Sequence, residues 1–263
     1  MHAFVTGSTG LLGSNLVHEL VQAGWEVTAL ARTPEKARAQ LGDLPVRVVA
    51  GDLEDVDAFA DALTGVDVVF HTAAYFREYY ASGEHEALLQ RLNVDATVRL
   101  ARNAAERGVR RFVHTSSSGT VAARTDGRPS TEADVLAPDA VENLYFRSKV
   151  LCDLALAEVT GIEVVTVLPG WMFGPRDAAP TNAGGIVRDH LAGRLPPVAL
   201  PGRTAIVDAR DVARAMIRMA EHADPGDRFI VAGREATLDE VLSGLAAASG
   251  RPAPALTLPW PMA

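Results

Sequence analysis

A glycine turn set between an apolar run and a helix-like segment constrains this chain more than any other feature. Ala3-Phe4-Val5 leads into Thr6-Gly7-Ser8-Thr9-Gly10-Leu11-Leu12-Gly13, and residues 14–22 then carry apolar side chains at helical spacing. Glycines at 7, 10 and 13 let the backbone turn tightly, let a pyrophosphate approach without meeting a Cβ, and let the helix pack closely on the strand. The N–H groups that open the helix then face the anion. A glycine triplet alone also ends ordinary strands, so the weight lies in its position at the first strand-to-helix crossing of an alternating chain.

That alternation continues. Short β-branched runs at 26–31, 45–50, 66–71, 111–115 and 162–168 are separated by helical patterns at 34–41, 55–63, 84–107 and 143–159. The rhythm predicts an α/β protein with a Rossmann-type, doubly wound parallel sheet and helices on both faces. After Leu168 the winding stops in a stretch rich in proline and glycine, from Pro169 and Gly170 to Gly184 and Gly185. A helix near 186–192, a helix capped at 208–211 and running to 221, a strand at 228–231 and a helix at 237–248 follow. We read residues 1–168 as a nucleotide-binding domain and 169–263 as a smaller substrate lobe at the carboxyl ends of the strands, where open α/β sheets bind ligands.

Composition narrows the partners. A net charge of −8 argues against nucleic acid, which calls for a basic face. Cys152 is the only cysteine, so no intramolecular disulfide or multi-cysteine zinc site can form, and its place on a helix reads as packing. His71 and His114 end strands without a third ligand at metal spacing, so no metal is expected. The start lacks a basic region followed by an apolar one, and no run is long enough to span a bilayer, so the expected compartment is the cytoplasm and no membrane is a partner.

A second site lies at Tyr145-Phe146-Arg147-Ser148-Lys149. Four residues apart on a helix, Tyr145 and Lys149 share a face, and an ammonium there favours the ionised phenol, whose free pKa of about 10 makes it a poor base at neutral pH. The chain has only two lysines, Lys36 and Lys149, so a lysine at this spacing is informative.

The glycine turn, Thr115-Ser116-Ser117 at a strand end, the Tyr145/Lys149 pair and Leu168-Pro169-Gly170 occur in one order. Asp52-Leu53, Ala73-Ala74, Asn93, Gly174-Pro175 and 208–213 fit the same series. Over residues 2–250 the chain resembles the extended short-chain dehydrogenase/reductases of the epimerase/dehydratase superfamily, most closely their NADP-dependent, dihydroflavonol reductase-like branch. The resemblance implies an NADP(H)-dependent oxidoreductase interconverting a ketone or aldehyde and an alcohol, with Ser117, Tyr145 and Lys149 as the catalytic set. Tyr145 donates a proton to the carbonyl oxygen, Ser117 hydrogen-bonds that oxygen, and Lys149 holds the nicotinamide ribose and tunes Tyr145. Ser116 and Ser118 are adjacent competitors for the place of Ser117. The implied cofactor contacts are Gly7, Thr9, Gly10, Leu11, Leu12, Gly13, Asp52, Leu53, Ala73, Ala74, Thr115, Tyr145, Lys149, Pro169, Gly170 and Met172. Asp52 equally suits an Asx turn. A nucleotide-sugar epimerase or dehydratase and a non-catalytic NADP-binding regulator share the fold.

Cofactor choice is read from the end of the second strand. A carboxylate there suits the ribose 2′-hydroxyl of NAD, whereas a 2′-phosphate wants a cation. Val27 to Arg32 contains no acid and ends in Arg32, with Lys36 one turn on, which favours NADP(H) unless Arg32 is only a solvated surface residue. Four aromatic residues fall within 75–80, and with Trp171-Met172-Phe173 they suggest an aromatic or bulky apolar substrate lined by Tyr75, Tyr79, Ser117, Trp171 and Phe173. Core packing or a dimer contact explains them equally. The resemblance further implies a homodimer through helices 84–107 and 143–159. Members of that group continue for several dozen residues beyond the position of Leu258, which implies a short or open substrate lobe here.

Overall fold

Each apolar run is followed by a helix or helical turn that carries the chain back over the same sheet, so the runs become parallel neighbours. The computed structural model describes residues 1–76, 85–195, 198–199, 202–253 and 256–257. Its elements are β1 (His2–Thr6), α1 (Leu11–Gln22), β2 (Glu26–Ala31), α2 (Pro34–Leu41), β3 (Val46–Ala50), β4 (Val68–His71), α3 (Glu86–Leu89), α4 (Ala96–Glu106), β5 (Arg111–Thr115), α5 (Leu144–Ala157), β6 (Glu163–Pro169) and β7 (Trp171–Phe173), followed by α6 (Asn182–Leu191), β8 (Val198–Ala199), β9 (Arg203–Asp208), α7 (Ala209–His222), β10 (Arg228–Val231), β11 (Arg234–Thr237), α8 (Leu238–Ser249) and β12 (Leu256–Thr257). Seven strands form one parallel sheet in the order β10-β6-β5-β4-β1-β2-β3. Chain direction across the sheet reverses at β1/β4, which opens a crevice beyond their carboxyl ends.

Strand periodicity divides the core in two. Ala3, Val5, Val68, Phe70 and Val113 point to one face, where Leu16 and Leu20 of α1 meet Val212 and Met216 of α7. Phe4, Val69 and Phe112 point to the other, against Phe59, Leu63, Leu100, Ala104, Cys152 and Leu156. Each fully buried leucine or phenylalanine contributes roughly 1.5–3 kcal/mol.

Two expected helices differ from the sequence reading. Residues 55–63 form two tighter 3₁₀ turns, Leu53–Asp55 and Asp57–Leu63, because Asp52 and Asp55 draw the N–H groups of Glu54 and Ala58 to their side chains at 3.2 Å each. The segment expected as one helix over 84–107 is interrupted between α3 and α4 by a widened π-helical turn, Gln90–Asp95, which carries Asn93.

Beyond β6 the chain does two jobs. It returns α7 and β10 to the large sheet, and it builds a small lobe whose strands run in the order β11-β9-β7. A short parallel pairing of β8 with β12 stands apart. Strands β7, β9 and β11 are absent from the sequence reading; they are short, and Arg203-Thr204 and Arg234-Glu235 lack the apolar alternation that marks a strand. No helix among the described residues is long and apolar enough to cross a membrane.

Candidate active site

The crevice is built from backbone. Gly7 holds φ at +65°, and a Cβ there would lie 2.7 Å from the amide nitrogen of Ala73; a Cβ on Gly13 would overlap the Gly7 carbonyl. Strand end, glycine turn and the Ala73-Ala74 segment thus approach as only glycine permits. Gly10 caps α1 without a side-chain hydrogen bond, so the N–H groups of Leu11, Leu12 and Gly13 open toward the crevice. The turn is fastened from outside by Ser8 Oγ donating to the Leu30 carbonyl at 2.8 Å and by Gln40 Nε2 donating to the Thr9 carbonyl at 2.8 Å. Ala73 N–H donates to Thr6 Oγ1 at 3.3 Å. Beneath it His71 lies between Thr6 Oγ1 at 2.9 Å and Thr97 Oγ1 at 3.0 Å, and burial holds its pKa well below the usual imidazole value.

Arg32 stands exposed just past β2, with Lys36 exposed on α2, and neither makes an ion pair or hydrogen bond to another described residue through its side chain. Asp52 caps the turn after β3, and Leu53 packs half-buried on the core.

Opposite the glycine turn, Asn143 caps α5 by accepting from Phe146 N–H at 3.1 Å. Tyr145 and Lys149 follow one turn apart on its inner face. Lys149 is only 2% exposed, its Nζ donates to the Thr115 carbonyl at 2.8 Å and lies 5.8 Å from the Tyr145 ring centre. Burial lowers its pKa. Phe76 and Phe146 pack on the Tyr145 ring at 4.7 and 5.5 Å. Of the three serines after β5, Ser116 turns inward and donates to Asp153 Oδ2 at 2.8 Å; Ser117 is half-buried and accepts from Gly119 N–H at 3.2 Å, and Ser118 opens the next turn. The Thr115 hydroxyl is buried without a hydrogen-bond partner among the described residues.

Asn93 ties these parts together. Its amide accepts from Tyr75 N–H at 2.7 Å and donates to the Tyr75 carbonyl and to Ser148 Oγ, both at 3.1 Å, so the segment after β4 is held against α5. The Tyr75 hydroxyl is 2.6 Å from His85 Nδ1. Tyr79 lies outside the described residues. Past Pro169 and Gly170, Trp171 and Phe173 share one face of β7 with rings 4.9 Å apart, while Met172 points back to the core. Phe173, Gly174, Val187, Leu191 and Leu245 line a mainly apolar cavity of about 710 Å³, which Asp177 also borders. Gly174 approaches Leu11 at the start of α1, so this cavity adjoins the glycine turn.

Sequence reasoning did not single out Asp153 or Gln40, and Phe76 entered it only as one of the four aromatic residues within 75–80. Asp153 stands four residues after Lys149, a spacing legible on any helix. Gln40 meets Thr9 only through the fold.

Residues 3–232 match the NAD dependent epimerase/dehydratase family. The chain belongs to that family. It is 35% identical over 261 residues to "Sterol demethylase protein B" of Methylococcus capsulatus, covering 98% of this chain and 78% of the relative. It is 31% identical to "Putative dihydroflavonol 4-reductase" of Synechocystis sp., covering 97% of this chain and 75% of the relative. The crystal structure of gox2253 superposes with a TM-score of 0.87 at 29% identity, over 97% of this chain and 77% of that one. As an extended short-chain dehydrogenase/reductase with this sheet order, the chain is a nicotinamide-dependent, NAD(P)-type oxidoreductase.

Proposed function

We propose that the protein is an NADP(H)-dependent carbonyl reductase or alcohol dehydrogenase acting on an aromatic or bulky apolar ketone, aldehyde or alcohol. The observation that carries the reading is the buried ammonium of Lys149 beside the Tyr145 ring, at the mouth of a crevice whose glycine turn leaves room for a pyrophosphate. The backbone from Gly7 to Gly13 would hold the pyrophosphate, Arg32 and Lys36 the 2′-phosphate, Asp52 and Leu53 the adenine, and Ala73, Ala74, Thr115, Lys149, Pro169, Gly170 and the backbone of Met172 the nicotinamide half. When bound, the nicotinamide supplies or accepts the hydride. Tyr145 donates the proton to the carbonyl oxygen, and the cation of Lys149 lowers the cost of the phenolate left behind. Ser117 hydrogen-bonds the same oxygen as charge develops there, since Ser116 is committed to Asp153.

The apolar cavity behind Phe173 supports the substrate class. Its mainly apolar walls stabilise a bulky ligand by roughly 25 cal/mol per Å² of apolar surface buried, with Asp177 and Arg188 as the charged residues on the lining. A relative named as a dihydroflavonol reductase points the same way. NADPH oxidation is to be compared on an aryl ketone and a short aliphatic aldehyde, and conversion of a nucleotide sugar is to be followed by product analysis because epimerases and dehydratases regenerate their cofactor, in the unmutated protein and in Trp171→Ala. The aryl ketone should be preferred, and its advantage should shrink in the variant. Turnover of the nucleotide sugar alone would move the assignment to an epimerase or dehydratase, and binding of NADPH without turnover of any of the three would leave a regulator.

A further inference from the structure

Below the Tyr145/Lys149 pair lies a buried polar cluster that the proposed reaction does not use. Asp153 sits one turn beyond Lys149 on α5, with 11% of its side chain exposed. Its Oδ2 accepts from Ser116 Oγ at 2.8 Å and from Arg228 Nη2 at 3.4 Å. Its Oδ1 has no hydrogen-bond partner among the described residues and lies 3.4 Å from His114 Nε2, without the alignment of a hydrogen bond. Arg228 comes from β10, at the far edge of the large sheet, and also reaches Thr120 Oγ1 at 3.4 Å and the Glu132 carbonyl at 3.5 Å. Three segments distant in sequence therefore converge on one carboxylate: the end of β5, helix α5 and strand β10.

Lys149 makes this convergence consequential. Its ammonium is buried, its hydrogen bond goes to a neutral carbonyl, and among the described residues it makes no ion pair. A buried cation without a nearby anion is strongly disfavoured. We propose that Asp153 is a positioning residue for the Tyr145/Lys149 pair: it is the buried anion that holds the ammonium's charge in place and turns Ser116 inward, so that Ser117 takes the next position on the strand end. The inference rests on the reading of Tyr145 and Lys149 as the reacting pair.

The sign of its electrostatic effect is fixed by the surrounding groups. Burial pushes the Lys149 proton off, while the Asp153 carboxylate helps to keep it on. Burial lowers the pKa values of His71 and His114, with the Asp153 carboxylate opposing it at His114, and burial pushes the Cys152 thiol up to about 12. Arg228 is the other cation facing the carboxylate, the Glu132 carboxylate is engaged with Ile230 N–H at 3.0 Å, and Tyr145 lies on the far side of Lys149. Asp153→Asn removes the anion and leaves Arg228 uncompensated, so Lys149 loses its proton at lower pH. Arg228→Gln does the opposite.

Two lysines in the whole chain make a direct test possible, because lysine labelled with ¹³C at Cε gives one signal from exposed Lys36 and one from Lys149. In the unmutated protein the Lys149 midpoint should lie below the ordinary lysine value. In Asp153→Asn its midpoint should fall further by about one pH unit, in Arg228→Gln it should rise, and in Ser116→Ala it should stay within about 0.3 unit. In carbonyl reduction, which needs both the phenol and the ammonium protonated, the alkaline limb of kcat/KM should move in step. A purely structural Asp153 would lower thermal stability in Asp153→Asn and leave the Lys149 midpoint in place, which would overturn the proposal. If Asp153→Asn does not fold, an unmoved midpoint in Arg228→Gln overturns it equally. Absence of turnover on any carbonyl would count against the reductase reading alone, because the lysine titration requires no substrate.

Discussion

At the residue scale, the proposed chemistry rests on one phenol and one ammonium placed a helical turn apart. Tyr145→Phe keeps the ring that packs on Phe76 and Phe146 and removes only the hydroxyl. It should leave NADPH affinity nearly intact in a fluorescence titration and reduce turnover by about a hundredfold or more. Full activity in that variant would place the proton donor elsewhere. Arg32 is legible in the same way, as a cation at a strand end with no acid and no partner among the described residues. The unmutated protein should bind NADPH more tightly than NADH by roughly 1–3 kcal/mol, and Arg32→Ala should remove most of that gap. Equal dissociation constants before mutation would refute the assignment.

At the element scale, the glycine turn is a packing joint as well as an anion site. Gly13 faces the Gly7 carbonyl and Thr72 Oγ1, so a methyl group there has to displace backbone. Gly13→Ala should cost about 1–3 kcal/mol in denaturant unfolding and abolish measurable dinucleotide binding. Gly185 on α6 makes the contrast, since a Cβ there meets nothing within 4 Å. Gly185→Ala should therefore be neutral or stabilising by up to about 1 kcal/mol, through the ordinary helix preference for alanine. A Gly13→Ala variant as stable as Gly185→Ala would show that the joint has more freedom than its contacts allow. The widened turn at Gln90–Asp95 belongs to this scale too: it interrupts a helix at the place where Asn93 holds the Tyr75 segment against α5.

For the whole molecule, two properties follow from what is buried and what is left exposed. His71 and His114 stack at 5.9 Å inside the sheet, and burial holds both folded pKa values below the ordinary 6.5. The unfolded chain takes up those protons first as pH falls, so stability is full above about 6.5 and declines as pH drops toward the folded values. Calorimetry at fixed ionic strength should show a level unfolding midpoint from pH 8 to 7 and a fall between about 6.5 and 5. His114→Leu should flatten that fall, and an equally steep one would assign it to other groups. Outside, Leu154 on α5 is 50% exposed, which suits the two-fold helix pairing proposed for a homodimer. Light scattering at micromolar concentration should give a dimer mass, and Leu154→Arg should give a monomer. A monomer mass for the unmutated protein would rule the pairing out.

Local sequence determined the parallel sheet and the glycine turn, because strand period, helix period and glycine spacing are properties of neighbouring residues. The Tyr145/Lys149 face was legible for the same reason, and so in principle was Asp153, one turn further along the same helix. The tertiary structure decided the rest. Competition between side chains and backbone turned the segment at 55–63 into 3₁₀ turns. Strand β10 joined the large sheet beside β6, and β9 and β11 paired without an apolar pattern of their own. Whether Ser116 faces inward depended on an aspartate 37 residues away and an arginine from the far edge of the sheet. A buried charge is governed by what surrounds it in space, and only folding brings those surroundings together.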